Sequence, residues 1–314
     1  MNDVTVSIIT CTRNPNLDLI QQAVASVSKQ TVAPTEYLLI DNCSNVPIKE
    51  TDLEAKISVK IIQETKPGLM NAMVCGMSRA ASDLIIFVDD DNLLQDNYIE
   101  EAIKFHIETG SKIFTGNTIY AGSKKVPRRF YKLLVMLGCR TSNENVVSQR
   151  GDRWHFLEPI GAGLVLHKDV CQKVLTNPLL RKAQLRGRGD HYLPRGGDDT
   201  FIVRVADLNG FRWSFAKNLF LEHVIDRKRV SFKYLVRLSA GYGFSRVELE
   251  ALLLELNELN ERNIKSNFKV DYLIKLLPFR VLKHGLSAGF IYWVGDVTDY
   301  LARKKLSGRM GENV

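Results

Sequence analysis

The apolar positions of the N-terminal third alternate between two periods. Val4 to Thr10 is a β-branched run, and Leu17, Ile20, Val24 and Val27 then fall on one face of a helix over Leu17 to Val27. Glu36 to Asp41 is a short apolar run ending in a carboxylate. Ile57 to Ile62 predicts a third strand and Leu69 to Ala81 a second helix. Leu84 to Val88 is fully apolar and runs straight into Asp89-Asp90-Asp91. Such alternation predicts an α/β fold with a mostly parallel central sheet and helices on both faces. Ligands of these sheets bind beyond the carboxyl ends of the strands. Three of those ends are polar here: Thr12-Arg13-Asn14, Asp41-Asn42 and Asp89-Asp90-Asp91.

Beyond this region the pattern is less regular. Ile113 to Thr118 predicts a fifth strand, and an irregular basic stretch follows from Tyr120 to Gln149. Ile160 to His167 predicts a strand whose small residues let a backbone or ligand approach closely. Ala183 to Gly197, rich in Gly, Arg and Pro, predicts a loop. Asp198 to Asn209 predicts a helix with Phe201, Ile202, Val205 and Leu208 on one face and Gly210 as its stop. Phe211 to Phe215 and Leu219 to His223 predict short strands. After Arg229 the chain reads as helical, with Leu249, Leu252, Leu253, Leu256 and Leu259 as an apolar stripe.

Composition adds little to the fold but something to the partners. The 314 residues are 45% hydrophobic and carry a net charge of +8, which suits phosphate-bearing substrates, nucleic acid or an anionic membrane face. The stretch from Asn263 to Val314 holds nine of the Lys and Arg residues against four Asp and Glu. A second basic cluster comprises Lys124, Lys125, Arg128, Arg129 and Lys132. The five cysteines form no C-x-x-C pair, which predicts reduced thiols in a cytoplasmic protein. No leader is evident, and Lys275, Arg280, Lys283, Asp296 and Asp299 interrupt the apolar C-terminal region, so no membrane-spanning helix is expected.

Three groups of residues carry candidate chemistry. Three carboxylates at the end of a buried strand repel one another and raise each other's pKa. A divalent cation removes that penalty, and Mg²⁺ or Mn²⁺ bound by one or two carboxylates takes its other oxygens from phosphate and water. The alternative is an acidic turn capping the next helix, with Asn92 or Asp96 as the cap. In Gly196-Gly197-Asp198-Asp199 the two carboxylates are either helix-capping acids or a general base tuned by its neighbour. His223 is a structural histidine unless the fold carries it to Asp91, where it would complete a metal site.

These motifs, in this order, resemble glycosyltransferase family 2. Val6-Ser7-Ile8-Ile9-Thr10-Cys11-Thr12-Arg13-Asn14 resembles that family's first strand and nucleotide-contacting loop, and Leu38-Leu39-Ile40-Asp41-Asn42 its second strand. Lys66-Pro67-Gly68-Leu69-Met70-Asn71 resembles its donor loop, Asp89-Asp90-Asp91 its D-x-D motif, Gly161-Ala162-Gly163 its acceptor-side strand, and Gly197-Asp198-Asp199 its E-D motif. The resemblance implies a GT-A fold with a C-terminal helical extension. It divides the chain into a catalytic domain over 1–226, with a nucleotide-sugar half to 118 and an acceptor half from 119, and a helical region over 227–314.

The resemblance also implies an inverting transfer of sugar from a nucleoside-diphosphate sugar, UDP-linked by preference, to a hydroxyl of a glycan or lipid-linked acceptor, in bacterial surface polysaccharide or glycolipid assembly. By position, Thr12, Arg13, Asp41, Lys66, Asn71, Asp89 and Asp90 would bind the donor. Asp91 and His223 would hold Mn²⁺ or Mg²⁺, and Asp199 would be the base. Asp198 stands where the family has Glu, so either carboxylate of the pair could serve. Asp41 has a turn-forming alternative, Lys66 a solvated one and Asn71 that of a polar helix-face residue.

Four other readings fit less well. A nucleotidyltransferase of sugar-nucleotide synthesis or a dinucleotide dehydrogenase would need glycines in the loop Cys11 to Asn16, which has none. A nucleic-acid-binding module lacks a recognised motif, and no nucleic-acid partner is expected. A non-catalytic scaffold would not need Asp91 and Asp199. The tail from Lys269 to Lys283, followed by Phe290, Trp293 and Tyr300, reads either as an amphipathic surface for the inner face of an anionic membrane or as a helical subdomain that packs its apolar faces on the catalytic core.

Overall fold

β1 (Val6–Thr12) and β2 (Glu36–Asn42) pair in parallel, with Thr12 opposite Asp41, so both chemically useful strand ends finish at the same edge of the sheet. The computed structural model describes residues 4–53, 56–122, 125–149, 155–184, 194, 196–254 and 286–311. These fall into two compact units. The first comprises 1–122, 138–187 and 198–225, and the second 123–137, 188–197 and 226–314.

The first unit is an α/β structure built on one sheet. Its strands are β1, β2, β3 (Lys60–Glu64), β4 (Leu84–Phe87), β5 (Asn92–Leu94), β6 (Ile113–Tyr120), β7 (Val146–Val147), β8 (Val165–His167) and β9 (Trp213–His223). The order is β3-β2-β1-β4-β8-β6-β9-β5, with β7 also on β9. Neighbours from β3 to β4 are parallel. Past β4 the sheet is mixed: β8 runs antiparallel to both β4 and β6, and β9 runs parallel to β6. The parallel arrangement predicted from the first strands therefore holds for that half and not beyond it.

Helices α1 (Leu17–Ser28), α2 (Leu69–Met77), α3 (Tyr98–Thr109), α4 (Lys168–Leu175), α5 (Leu180–Gln184) and α6 (Asp198–Leu208) complete the unit. Ile8, Val24, Leu39, Ile86, Ile99 and Phe114 are wholly buried in one cluster. Asn16 starts α1 by accepting hydrogen bonds from the amides of Asp18 and Leu19. That cap leaves the segment between β1 and α1 short, and so keeps Arg13 and Asn14 at the sheet edge.

Several boundaries differ from the sequence pattern for local reasons. β3 begins at Lys60, not Ile57, and α2 ends at Met77, not Ala81. The strand predicted over Ile160 to His167 is regular only from Val165, because Gly163 takes a left-handed φ of 69°. A side chain there would put its Cβ 2.3 Å from the Tyr98 hydroxyl, which donates to the Gly163 carbonyl at 2.8 Å. The two strands predicted near Phe211 and Leu219 are one strand, β9. Its register against β6 jumps from Ala216 to Phe220, and a Cβ on the facing Gly116 would lie 2.3 Å from that of Leu219.

In the second unit a 3₁₀ segment, Arg128–Leu137, accompanies two long helices, α7 (Phe232–Leu254) and α8 (Leu286–Gly311). The helices approach closely at glycines: a Cβ on Gly243 would meet the Gly295 carbonyl at 2.5 Å. Next to this contact Arg246 and Arg303 both bind Asp299, at 2.9 Å and 3.0 Å, and Arg303 also reaches Glu250 at 2.6 Å. Leu249, Leu252 and Leu253 are buried as the apolar stripe predicts. Leu256, Leu259, Lys124, most of the predicted loop over 183–197 and the amphipathic stretch over 269–283 lie outside the described residues. No helix among the described residues is long and apolar enough to cross a membrane.

Candidate active site

Asp89, Asp90 and Asp91 leave the end of β4 and pass directly into β5, not into a helix. The capping alternative therefore does not describe them. Asn92 is wholly buried in β5, and Asn97, at the start of α3, makes no side-chain cap. β5 pairs antiparallel with the end of β9, Asn92 opposite His223. This pairing carries His223 to Asp91: His223 Nε2 lies 3.2 Å from Asp91 Oδ2. Asn92 Nδ2 donates to the other oxygen, Oδ1, at 3.1 Å, and the Val224 amide donates to the Asp91 carbonyl at 2.8 Å. Asp91 is thus braced through main chain and side chain together.

The donor set fits a divalent ion that also takes phosphate oxygens. Asp91 and His223 offer one carboxylate and one imidazole within reach of each other, with side-chain exposures of 18% and 7%. Among the described residues no cluster of three or more His, Cys, Asp or Glu is placed to hold a metal alone. An ion held by two protein groups keeps positions open for substrate oxygens. The other ring nitrogen, His223 Nδ1, is buried without a hydrogen-bond partner among the described residues. The ring is therefore not committed to a structural network on that side.

Asp90 is clamped from β1: the Thr12 hydroxyl donates to Asp90 Oδ2. The acidic end of β4 is felt by its neighbours. Burial pushes the Cys11 thiol well up, and Asp89, Cys75 and Asp90 push it further. Burial likewise takes the Tyr37 phenol up to about 12, against a hydrogen bond from Thr10 that lowers it and with Asp90 adding to the rise.

Two loops at the neighbouring strand ends are tied together by Asn14 and Asn42, which the sequence marks as polar strand-end residues without giving them partners. Asn14, at a left-handed φ of 51°, is bonded twice to the loop after β2. Its amide donates to Ser44 Oγ at 2.8 Å, and its Oδ1 accepts from the Asn45 amide at 2.7 Å. Asn42 pins the loop after β3, donating to the Lys66 carbonyl at 2.6 Å and accepting from the Gly68 amide at 2.7 Å. Arg13 and Lys66 are exposed on these loops. Asn71 is buried in the first turn of α2 and donates to the Pro67 carbonyl at 2.9 Å.

The Asp41 carboxylate is held by the loop that follows β2. Its side chain is wholly buried, and its two oxygens accept from the amides of Ser44 (3.2 Å) and Ile48 (3.0 Å). A carboxylate enclosed in this way shapes the loop after β2, as the turn-forming alternative requires.

Asp199 sits in the first turn of α6. Its Oδ2 accepts from the Gly161 amide at 3.1 Å and its Oδ1 from the Thr200 amide at 2.8 Å. Gly161 begins the turn whose Gly163 amide donates to the Phe87 carbonyl at 3.0 Å, on the last residue of β4. The base candidate and the acidic triplet therefore share one backbone framework. Asp198, half-buried, precedes Asp199 in the same turn.

That framework rests on a buried ion pair. Arg204, five residues further along α6, binds Glu158 at 2.8 Å, with side-chain exposures of 5% and 7%. Glu158 lies three residues before Gly161. Arg204→Leu takes a buried cation away from the Glu158 carboxylate and is expected to cost about 3–5 kcal/mol in denaturant unfolding. The double variant Glu158→Leu/Arg204→Leu removes both charges and is expected to cost less than Arg204→Leu alone. A double variant less stable than the single would contradict the pairing.

Comparison with known proteins bears on this site. The family model for glycosyl transferase family 2 matches residues 7–175, more than half of the chain. A curated Bacillus subtilis (strain 168) protein, "Uncharacterized glycosyltransferase YwdF", is 30% identical over 129 residues. That match covers 40% of this chain and only 46% of the relative's length. Among solved structures, S. aureus TarS aligns over 93% of this chain and 55% of its own, at 16% identity and a TM-score of 0.48. S. aureus TarS 1-349 aligns over 93% and 90%, at 14% identity and a TM-score of 0.47. The family match contains Thr12, Arg13, Asp41, Lys66, Asn71 and Asp89 to Asp91, while Asp198, Asp199 and His223 lie beyond it.

Proposed function

The chain belongs to glycosyl transferase family 2, and from that premise we propose that it moves a sugar from a nucleoside-diphosphate sugar to a hydroxyl acceptor, inverting the anomeric carbon. The observation that carries this reading is the 3.2 Å approach of His223 to Asp91 at the end of β4. Support also comes from the backbone framework shared by Asp199 and the acidic triplet.

Asp91 and His223 are the residues that would hold Mn²⁺ or Mg²⁺. Such an ion, when bound, supplies positive charge for the leaving diphosphate. Asp90, held by Thr12, and Asp89 face the nucleoside. Arg13 and Lys66 supply cationic side chains from the two tied loops for the phosphates. Asp199 accepts the acceptor's hydroxyl proton as that oxygen bonds to the anomeric carbon. The carbon–oxygen bond to the diphosphate breaks, and its electron pair leaves with the diphosphate. The acceptor in this reading is a glycan or a lipid-linked sugar, the donor is UDP-linked, and the setting is assembly of a bacterial surface polysaccharide or glycolipid at the cytoplasmic side of the membrane.

Calorimetric titration with UDP, GDP and dTDP, with and without Mn²⁺, tests the donor site. Metal-dependent binding of one nucleotide, UDP before the others, is the expected result. Absence of binding to all three would remove the nucleotide-sugar donor from the proposal.

A further inference from the structure

We propose that the second unit docks on the surface of an anionic lipid bilayer through Phe232, Phe290 and Trp293 and the basic residues beside them. Phe232, at the start of α7, is 44% exposed, and Phe290, in the first turns of α8, is 36% exposed. Their rings stack at 6.1 Å with 20° between planes, and Phe290 touches Trp293 at 5.8 Å. Single exposed aromatics are ordinary on a protein surface. Two stacked rings that still leave more than a third of their area in water are a patch, and patches mark interaction surfaces.

The charge around this patch indicates what covers it. The Tyr292 hydroxyl, next along α8 from Ile291, donates to the Lys132 carbonyl at 2.8 Å and so holds the Arg128–Leu137 segment beside α8. That segment presents Tyr131 at 56% exposure. Lys125, Arg128, Lys132, Arg227, Lys228 and Lys233 are all exposed. The stretches 125–137 and 226–233 together contain eight Lys or Arg and one acidic residue, Asp226. Asp226 is engaged locally, accepting from the Lys228 amide at 2.6 Å. Exposed aromatic rings in a unit this rich in exposed Lys and Arg, with Lys233 next to Phe232 in the chain, match a bilayer surface, where cations meet lipid phosphates and rings enter the acyl boundary. A nucleic acid would answer the charge but has no use for the stacked phenylalanines outside a base-stacking groove.

The full chain is tested by co-sedimentation with vesicles of phosphatidylcholine alone and of phosphatidylcholine mixed with phosphatidylglycerol. Binding is expected only to the mixed vesicles and should weaken as salt is raised. Phe232→Ser/Phe290→Ser is expected to lower the partition coefficient roughly tenfold or more. Lys228→Glu/Lys233→Glu should lower it as well, and should also do so if the aromatic variant folds poorly. No sedimentation of the wild type with either vesicle overturns the proposal. So does sedimentation left unchanged by the aromatic variant while its unfolding transition matches the wild type, since attraction by charge alone would then suffice. Vesicle binding needs no nucleotide, so this outcome is independent of the donor-site result.

Discussion

Asp91→Asn is expected to lower kcat for sugar transfer by about 10²–10³-fold, the range seen when one preorganised electrostatic group is removed from a transition state. It should also erase the effect of Mn²⁺ on nucleoside-diphosphate binding. The substitution keeps the size of the side chain and leaves the backbone bond from Val224 to the Asp91 carbonyl intact, so the β5–β9 pairing should persist. What changes is charge at the one carboxylate that faces His223 Nε2. A neutral amide is a poor partner for a hard divalent ion. Steady-state kinetics with and without Mn²⁺, beside calorimetry on the same preparation, separates the outcomes. If kcat falls while metal-dependent nucleotide binding is retained, Asp91 is not the metal ligand and the site has been read wrongly. If neither changes, the acidic triplet has no part in transfer.

How far the sequence reveals this site depends on how local each signal is. β1, β2, β4 and α6 are legible because apolar periodicity and the residues that end it lie within one short stretch. β5 is not legible: three residues beginning with Asn carry no strand period, and they are extended only because β9 pairs with them from more than a hundred residues away. The meeting of His223 with Asp91 is a product of that pairing, so the residues alone could pose it as a condition but not derive it. Asn42 and Asn14 are legible only as polar strand-end residues, for a related reason. An Asn at a strand end reads as a turn former, and its partners at Lys66, Gly68, Ser44 and Asn45 are set by the crossover topology. Asp41 shows the converse. Its place in the motif suggests contact with a ligand, whereas its complete burial and two backbone donors give it a loop to hold. The adjacency of Glu158 to Gly161 could have prompted a search for a buried cation, but nothing along the chain names Arg204 as that cation.

Asp199→Asn is expected to reduce kcat by about 10²–10⁴-fold, the contribution of a positioned general base, while the dissociation constant for the nucleoside diphosphate stays near the wild-type value. The geometry makes this a clean substitution on one side and a mild strain on the other. An asparagine carbonyl can still accept from the Gly161 amide, so the link from α6 to the turn beside β4 survives. Its amide group then faces the Thr200 N–H, exchanging one local acceptor for a donor. The framework is thus largely preserved while the proton acceptor is removed. A loss confined to kcat, with donor affinity unchanged, marks an interaction made in the transition state and not in the ground state. Asp198→Asn is the necessary partner experiment, because Asp198 and Asp199 share the first turn of α6. Asp199 accepts the Gly161 amide, and the larger loss is expected in Asp199→Asn. A larger loss in Asp198→Asn would move the base to the neighbouring carboxylate. It would also recast Asp199 as the group that fixes the turn Gly161 to Gly163 against α6. Full activity in both variants would leave the acceptor hydroxyl without a base at this junction, and the proton would then have to leave by another route.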